Sequence, residues 1–362
     1  MRFVVARRLG RRGEGLGNEM LPWAKGLIAS HVLKARFVGP SWGINKRKYY
    51  QHFGTSRLDF VVEDMLSRLP HHEFTHTDYL ATGAEDFGDA ISQWSQAIGL
   101  ASKRSFIVTV AGMYGGFSCI RDARPFLLGK LLNSRDAIRN VYDVASKLDR
   151  DKLFVAVHMR FGGDFDELVP SESARGRYNI RISGSWYLSV CEQLQKEFGD
   201  KLQFHFFTDR RGPEFDEAVR RFNPGQRPQT GLTECSDLLL MAQADLRICS
   251  ISSYSMVACF LSSGPYIWYE PQLTVENDLY TMWGMEDAQR IPGSLTQRSI
   301  DFVKGIDPSS VGANEFTGYA MECGVGIPCG LVAQLRRRLR SNRREVNLIE
   351  YGCLPHWTRS TL

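Results

Sequence analysis

The second half of this sequence alternates short apolar runs with segments of helical periodicity, and this alternation restricts the fold more than any other feature. Four of the runs have the length and composition of buried strands: LFVAVHM (153–159), QFHFFTD (203–209), DLRICS (245–250) and PYIWYE (265–270). Helical patterns lie at 185–199, 213–222, 235–244 and 253–262. Such close alternation indicates βαβ units, and therefore an α/β fold with a parallel sheet covered by helices on both faces.

Parallel sheets of this kind bind ligands at the carboxyl ends of their strands, so the polar residues directly after each apolar run are candidate site residues. They are His158 and Arg160 after the first run, Thr208 and Asp209 after the second, and Ser250, Ser252 and Ser253 after the third. Ser253 is also the predicted N-cap of the helix at 253–262, and Ser185 that of the helix at 185–199.

The first half of the chain is predicted to be α/β as well, but less regular. Strands are expected at RFVVARRL (2–9) and FIVTV (106–110), and a helix from Ser134 to Leu148. A glycine-rich loop, RRGEGLGNEM (11–20), joins the first strand to another helix. That helix is marked by Leu21, Ala24, Leu27, Ile28, His31 and Val32.

The length of 362 residues exceeds one ordinary core, so two domains are predicted. We place the boundary in the polar stretch 149–152. An N-terminal α/β domain would then span 1–150, and a ligand-binding α/β domain 151–300. Residues 301–362 would form a C-terminal extension with a basic helix.

The composition is that of a globular protein with a substantial core, since hydrophobic residues make up 43% and charged residues 23%. No apolar run approaches the ~18 residues of a membrane span, and the first apolar stretch is too short for a secretory signal. The eight cysteines are scattered without a C-x-x-C pair, which argues against a zinc site. A reduced, cytoplasmic setting is therefore expected.

An arginine-rich segment near the C-terminus contributes to the net charge of +5. Its members are Arg336, Arg337, Arg338, Arg340, Arg343 and Arg344. One interpretation is a solvated helix face. The other is attraction to an anionic membrane surface or an acidic acceptor, where each basic residue would add roughly 1 kcal/mol. No nucleic-acid partner is predicted.

The stretch VAVHMRFGGDFDE (155–167) allows three interpretations. GGDF (162–165) resembles the signature of enzymes that cyclise GTP in pairs, but it lacks that signature's second acidic residue and follows a strand rather than lying on a hairpin. Asp164-x-Asp166 has the spacing of a divalent-metal clamp with oxygen ligands. Asp149-x-Asp151 matches the same pattern in a linker, so the motif has little specificity and no metal site is predicted.

The third interpretation centres on His158-x-Arg160. A guanidinium offers a planar fork of donors that matches phosphate oxygens and stays charged at physiological pH. A sugar-nucleotide transferase without a metal needs such a cation, because the leaving diphosphate gains negative charge. The non-functional alternatives are a surface salt bridge for Arg160 and a core position for His158.

Two further blocks strengthen the arginine interpretation. GEGLGNEMLPWAKGLIAS (13–30) joins a strand to a helix, where glycines and free N–H groups let a ligand approach. Its glycines, Gly13, Gly15 and Gly17, do not have the G-x-G-x-x-G spacing of a dinucleotide fingerprint. In the second block, Ser250 to Ser253 precede a helix whose N-terminal N–H groups suit a phosphate.

Taken together, three blocks make the chain similar to the GDP-fucose-dependent fucosyltransferases of the α-1,2, α-1,6 and protein-O groups. The blocks are GLGNEMLPWAKGL (15–27), FVAVHMRFGGDF (154–165) with FHFFTD (204–209), and SDLLLMAQADLRICSISSYS (236–255). The resemblance implies a GT-B fold, in which two Rossmann-like domains face a cleft, with the donor in 151–300 and the acceptor side in 1–150. It also implies inversion at the sugar carbon, a glycan acceptor, and no cofactor or required metal beyond the donor GDP-fucose.

The resemblance also assigns roles to individual residues. Arg160 would bind the β-phosphate, His158 would lie near the nucleotide and Asp237 would approach the guanine. Ser252 and Ser253 would contact the phosphates, and Gly15, Gly17 and Asn18 would line the cleft from the first domain. The catalytic base is left open among Glu14, Asp164 and Asp166, or no base if transfer is largely dissociative.

The chain departs from the family pattern at three points. Phe161 replaces a second arginine, as in the protein-O group. The sequence GGD is one residue longer than the common R-R-G-D, which shifts Asp164. Met256, Val257 and Ala258 replace an aromatic cluster usual in α-1,2 enzymes. Two alternatives therefore stay open: a GT-B transferase with another sugar nucleotide, and a non-catalytic nucleotide- or carbohydrate-binding protein. Acceptor, linkage and oligomeric state are not predicted.

Overall fold

The computed structural model describes the chain at residues 1–7, 14–42, 47–53, 57–149, 151–227, 233–262, 264–276, 279–282, 286–287 and 318–340. These residues form two compact units, one ending at Arg135 and the other beginning at Asp136. Gly13, Arg343 and Arg344 lie outside the described residues, as does the predicted C-terminal extension apart from 318–340.

The sheet of the first unit consists of β1 (Arg2–Ala6), β2 (Arg36–Val38), β3 (His72–Phe74) and β4 (Phe106–Val110). The strands are parallel and lie in the order β2-β1-β4-β3. Val4 pairs with Phe37 on one side and Val108 on the other. All five residues of β4 are buried, as a continuous apolar run predicts for an inner parallel strand.

The helices of the first unit are α1 (Leu16–Val32), α2 (Tyr50–Phe53), α3 (Arg57–Arg68), α4 (His76–Thr82), α5 (Phe87–Ala97) and α6 (Arg124–Leu132). α1 contacts β1, β4, α5 and α6. Within it the buried Lys25 donates hydrogen bonds to the carbonyls of Gly112 (3.2 Å) and Tyr114 (2.6 Å), and burial lowers its pKa to about 8. This lysine fixes the loop that follows β4.

The second unit contains ten strands among its described residues: β5 (Leu153–His158), β6 (Glu167–Leu168), β7 (Ile180–Arg181), β8 (Leu202–Phe207), β9 (Leu246–Cys249), β10 (Tyr266–Tyr269), β11 (Thr274–Glu276), β12 (Leu279–Met282), β13 (Glu286–Asp287) and β14 (Gly318–Met321). Five of them form a parallel sheet in the order β14-β10-β9-β5-β8. β11, β12 and β13 form a small antiparallel sheet, and β6 pairs with β7.

The helices of the second unit are α7 (Arg135–Ala145, which begins at the junction), α8 (Gly184–Phe198), α9 (Pro213–Phe222), α10 (Glu234–Gln243), α11 (Ser253–Phe260) and α12 (Cys329–Arg340). α8 contacts α9, and α10 contacts α11. α12 buries Leu331 and Leu335, while Arg336 pairs with Glu197 and Arg338 with Asp245. Two arginines of the basic segment are thus held in ion pairs within this unit.

No helix in the described part of the chain combines the length and apolar character needed to cross a membrane.

The α/β class and the parallel sheets are confirmed, and the strands and helices predicted between residues 153 and 270 agree with the structure to within two residues at each end. Both predicted N-caps are wrong. Ser183, not Ser185, caps α8 and accepts a hydrogen bond from the Ser185 N–H. Ser252, not Ser253, caps α11, because its extended backbone lets the hydroxyl accept from the Ser255 N–H.

The glycine-rich loop of the first unit is shorter than predicted, because α1 begins at Leu16 rather than near Leu21. Gly15 occupies the N-cap position in an extended conformation. The carboxylate of the buried Glu19 accepts a hydrogen bond from the Glu14 N–H (3.0 Å), which satisfies a donor ahead of the first turn. Strand β1 ends at Ala6 and the predicted helix 134–148 spans Arg135–Ala145.

The strand order of the second unit identifies where a ligand would bind. The chain forms β5, places β8 on one side of it, and then places β9, β10 and β14 on the other side. The order therefore reverses between β5 and β9. In open α/β sheets, the crevice outside the carboxyl ends of the strands at such a switch point is the usual ligand site. The residues after β5 and β9 meet there.

Candidate functional site

Arg160 lies two residues beyond β5. Contacts with the described residues position its guanidinium, but none of them is a hydrogen bond. Its backbone N–H donates to Ser250 Oγ (2.9 Å). The guanidinium carbon lies 4.8 Å from the centre of the Phe165 ring, and Nε lies 3.4 Å from Asp209 Oδ2 without hydrogen-bond geometry. Among the described residues the guanidinium therefore makes one ion pair, through the buried Nε, and no hydrogen bond, which leaves its two Nη groups available to an oxyanion.

Asp209, just past β8, anchors the loop that follows Arg160. Its Oδ1 accepts hydrogen bonds from the backbone N–H groups of Phe161 (3.0 Å) and Gly162 (3.1 Å). A Cβ at Gly162 would lie 3.1 Å from Asp209 Oδ2, and Gly163 has a φ of +66°. Both glycines of the GGDF stretch are thus explained by the turn after a buried inner strand.

The two Asp-x-Asp pairs do not form a metal clamp in this arrangement. Asp166 pairs with Arg210 at 2.8 Å, with both side chains 63% exposed, and Asp164 is exposed. Asp149 Oδ1 accepts a hydrogen bond from the Asp151 N–H (2.8 Å). Within the described residues no three His, Cys, Asp or Glu side chains converge in a way that could hold a metal ion. Independence of metal remains a prediction about activity.

His158, the last residue of β5, is buried and neutral. Its Nδ1 lies 2.7 Å from Ser255 Oγ, and its ring lies 5.3 Å from that of Tyr254. Burial, followed by repulsion from Arg160, lowers the pKa of His158 to about 3, with Asp209 opposing the shift. His158 is therefore neutral at physiological pH, and Arg160 is the charged member of the His158-x-Arg160 pair.

Ser250, just past β9, has a hydroxyl that is fully occupied by the protein. Its Oγ donates to the carbonyl of His158 (2.8 Å) and accepts from the Arg160 N–H (2.9 Å). Tyr187 Oη lies 2.7 Å away as a third partner. One donor and two acceptors are all that a hydroxyl offers, so the geometry favours a role for Ser250 in holding the two strand ends rather than in contacting a ligand.

The serines at the start of α11 divide into a cap and a first turn. The Ser252 hydroxyl is buried and accepts from the Ser255 N–H (3.3 Å). Ser253 is partly exposed and is the first residue of the helix, followed by Tyr254. The N–H groups of a first turn have no intrahelical acceptor and present partial positive charge. This end of α11 therefore suits an anion.

Asp237 lies on α10 and faces a cavity beside the carboxyl end of β8. The cavity has a volume of about 180 Å³ and is lined by His205, Phe206, Phe207, Thr208, Arg211, Phe215, Val219, Gln226, Arg227, Thr233 and Asp237. Burial and then repulsion from Glu234 raise the pKa of Asp237 to about 8, while a hydrogen bond from Thr233 opposes the shift. Thr208 Oγ1 donates to the Arg210 carbonyl (2.8 Å) and so shapes the turn at the rim.

The four candidate residues of the first unit lie together where α1 begins. Gly15 is the N-cap and has no side chain with which to cap the helix. Gly17 is buried in the first turn, Asn18 is partly buried, and the Glu14 side chain is exposed. The Asn18 N–H donates to the Gly15 carbonyl (2.9 Å). A helix N-terminus without a side-chain cap, with an exposed carboxylate beside it, is thus available in this unit.

Sequence reasoning missed two residues of this site. Tyr187 fits the helical apolar pattern of α8 and is fully buried, yet its hydroxyl reaches Ser250. Ser255, the third residue of α11, contacts His158 Nδ1 from a buried position in an otherwise mostly apolar helix. The only signal for Tyr187 was a hydroxyl at a core position, since a buried phenol usually finds a hydrogen-bond partner.

Neither a protein-family model nor a curated protein matches the chain. Among solved structures it is similar to POFUT1 in complex with GDP-fucose, at 13% identity and a TM-score of 0.43, over 71% of this chain and 92% of that one. It is also similar to a variant of Arabidopsis thaliana FUT1 in complex with GDP, at 12% identity and a TM-score of 0.40, over 76% and 71%.

A third similar structure is a glycosyl transferase of family 9 from Veillonella parvula, at 10% identity and a TM-score of 0.35, over 97% and 94% of the two chains. All three TM-scores are below 0.5, so the function has to be argued from the residues of this chain.

Proposed function

We propose that the chain is a glycosyltransferase of the GT-B class that transfers fucose from GDP-fucose, with inversion, to a hydroxyl of a glycan or glycoconjugate. The observation that carries the proposal is the set of groups at the β5–β9 switch point. Arg160 offers there guanidinium Nη groups that make no hydrogen bond within the described residues, and α11, whose first two N–H groups are not used by its Ser252 cap, follows β9. An inverting transferase needs cationic and N–H groups of this kind where a diphosphate departs.

Arg160 has the main catalytic role in this proposal. As the bond between the sugar and the β-phosphate breaks, negative charge develops on the phosphate oxygens, and the guanidinium donates to them. Ser252 and Ser253, at the start of α11, add backbone N–H groups for the second phosphate. Neutral His158 adds no competing charge, and Asp209 holds the loop that carries the arginine.

Asp237 would select the nucleobase. Guanine presents two adjacent N–H donors, on N1 and on the exocyclic amine, to which a carboxylate can make two parallel hydrogen bonds. Uracil presents one N–H between two carbonyls, so it cannot match a carboxylate in this way. The cavity beside β8, with Phe207 and Phe215 among its lining residues, offers apolar walls for a planar base.

The remaining roles are assigned on chemical grounds. Arg160 takes the part of a metal, so the reaction is proposed to need none. The base that removes the acceptor proton is proposed among Glu14 and Asp164, and Gly15, Gly17 and Asn18 are proposed to contact substrate from the first unit. A cytoplasmic location is proposed. Contact with an anionic membrane surface through the arginine-rich C-terminal segment is proposed as well.

The proposal is tested by comparing the protein's thermal stability with GDP, UDP and TDP, each with and without its sugar. A ligand present at a hundred times its Kd adds about 2.7 kcal/mol of stability, so GDP should raise the melting temperature and UDP should not. Transfer is then measured as loss of GDP-fucose with a glycan mixture as acceptor. Stabilisation by UDP equal to that by GDP would contradict the donor assignment. Binding of GDP without hydrolysis or transfer would favour a binding protein.

A further inference from the structure

Tyr187 is joined to Arg160 by an unbroken chain of hydrogen bonds. It lies on α8 with none of its surface exposed, and its Oη lies 2.7 Å from Ser250 Oγ. Ser250 Oγ in turn contacts the N–H of Arg160 (2.9 Å) and the carbonyl of His158 (2.8 Å). A core phenol is therefore one hydroxyl away from the backbone that aims the guanidinium.

The direction of each hydrogen bond follows from the number of protons available. Ser250 has one hydroxyl proton, and the His158 carbonyl can only accept, so that proton goes to His158. The Arg160 N–H can only donate to Ser250. The remaining partner, Tyr187, must then donate its own proton to Ser250 Oγ. Burial raises the pKa of the Tyr187 phenol further above its usual range, so the proton stays on it.

This geometry fixes the rotamer of Ser250. The phenol approaches from α8, while the other two partners belong to the end of β5. Without the phenol, the serine hydroxyl keeps two partners on one backbone segment and loses the contact with a rigid helix. The Tyr187 ring itself is held edge-on by Trp186 (4.8 Å) and Phe161 (6.5 Å), so its hydroxyl has a defined position.

We propose that Tyr187 is a positioning residue for Arg160, which acts through Ser250 to hold the arginine where charge develops on the departing diphosphate. The inference rests on the proposed function, because it needs a reaction in which Arg160 stabilises a transition state. It predicts that loss of the phenol hydroxyl lowers kcat and leaves the KM for GDP-fucose within about twofold. A mispositioned donor weakens the transition state more than the bound substrate, because the negative charge develops in the transition state.

The test compares Tyr187→Phe with Tyr269→Phe. Tyr269 also lies in the second unit and its Oη also bonds a serine, Ser171, at 2.8 Å, but this bond is only partly buried. Tyr269→Phe therefore removes a comparable phenol–serine hydrogen bond away from Arg160, and its loss of thermal stability should be the smaller of the two. Tyr187→Phe should lower kcat about tenfold, the scale of one hydrogen bond of about 1.4 kcal/mol expressed in the transition state, whereas Tyr269→Phe should turn over like the wild type.

A double-variant cycle separates positioning from a general structural effect. In an Arg160→Ala background, Tyr187→Phe should change kcat by less than about twofold, because the residue through which it acts is gone. Equal kcat for the two tyrosine variants, or the same loss with and without Arg160, would overturn the inference. Absence of transferase activity in the wild-type protein would instead refute the proposed function. Measuring the wild type first therefore distinguishes that outcome from a failure of the role proposed for Tyr187.

Discussion

The pH dependence of GDP binding provides a direct test of the role proposed for Asp237. Its pKa of about 8 in the ligand-free protein means that the carboxyl carries a proton at neutral pH. Only the ionised form can accept two hydrogen bonds from guanine. Binding therefore requires loss of that proton, and the apparent affinity depends on the fraction of protein in the ionised form.

The expected size of the effect follows from that fraction. With a pKa of about 8, roughly half of the protein is competent at pH 8 and about 1% at pH 6, so the apparent Kd should rise about 50-fold over this range. This corresponds to about 2 kcal/mol of binding free energy. His158, with its pKa lowered to about 3, does not titrate between these limits.

Isothermal titration calorimetry with GDP from pH 6 to pH 8.5 measures the effect, and two variants control it. Asp237→Asn cannot ionise, so its affinity should be weaker at pH 8 and vary with pH only through the phosphates of GDP, whose second pKa is near 6. Glu234→Gln removes the second cause of the raised pKa, so the midpoint should move to lower pH. A flat profile in the wild type, or the same slope in Asp237→Asn, would refute the reasoning.

The same carboxyl predicts an opposite trend in the stability of the ligand-free protein. Its pKa is raised from 3.8 to about 8 by folding, so the folded state holds a proton that the unfolded chain loses. The stability due to this proton is fully present below pH 3.8 and is lost as pH rises towards 8. Asp237→Asn should therefore gain stability relative to the wild type between these values, as thermal unfolding at several pH values would show.

Three further outcomes are expected. Arg160→Ala should lower kcat by roughly a hundredfold or more with the fold intact, and Arg160→Lys should restore little because the ammonium lacks the planar fork. Asp164→Asn should lower kcat less than either arginine variant does. A larger loss of kcat in Asp164→Asn than in Arg160→Ala would favour a metal. Turnover should survive excess EDTA, and loss of activity that Mn²⁺ restores would revive Asp164 as a ligand. Arg247→Met should destabilise the protein by several kcal/mol in urea denaturation, since it leaves buried carbonyls without a hydrogen-bond donor at a cost of about 1–3 kcal/mol each. Arg336→Met, which removes an exposed ion pair, should cost under about 1 kcal/mol.

The loss of stability expected for Arg247→Met follows from a set of buried hydrogen bonds that the sequence did not predict. Arg247 lies in β9, is fully buried, and donates to the carbonyls of Met241, Ala242, Ala244 and Pro265 and to the Ser262 hydroxyl. Three of these carbonyls belong to the end of α10, where a cation is favourable. An arginine inside an apolar run gives no indication of such partners, because they come from two separate chain segments.

The predicted elements of the second unit agree with the structure because inner parallel strands are buried on both faces and appear as unbroken apolar runs. β5 and β8 are of this kind, and all but one of their residues are buried. β14 was not predicted, since Gly318–Met321 is four residues long and is a strand only through its pairing with β10. The three-residue strands β2 and β3 of the first unit are likewise too short to give a periodic signal.

For the candidate site, the sequence predicted which side chains lie near the ligand but not which protein groups each of them contacts. A polar residue after a buried strand is expected near the ligand, and His158, Arg160 and Asp209 do lie at that edge. The direction of each side chain is set by partners distant in sequence. Asp209 faces the backbone of Phe161 and Gly162, and Ser250 is occupied by three protein groups. Sequence spacing cannot distinguish a serine that binds a ligand from one that holds a loop.

Strand order explains why these groups meet at all. Alternating strands and helices are compatible with several orders, and in each of them Ser250 would follow β9. Only an order that places β9 against β5 brings its hydroxyl to the N–H of Arg160, as the register of Val157 against Ile248 does here. Had β9 been added beyond β8, the Arg160 N–H would lack this acceptor and the guanidinium would lose its link to α8 through Tyr187. The site is therefore a consequence of the reversal between β5 and β9. Ser250, which follows β9, joins the two strands through its hydrogen bonds to His158 and Arg160.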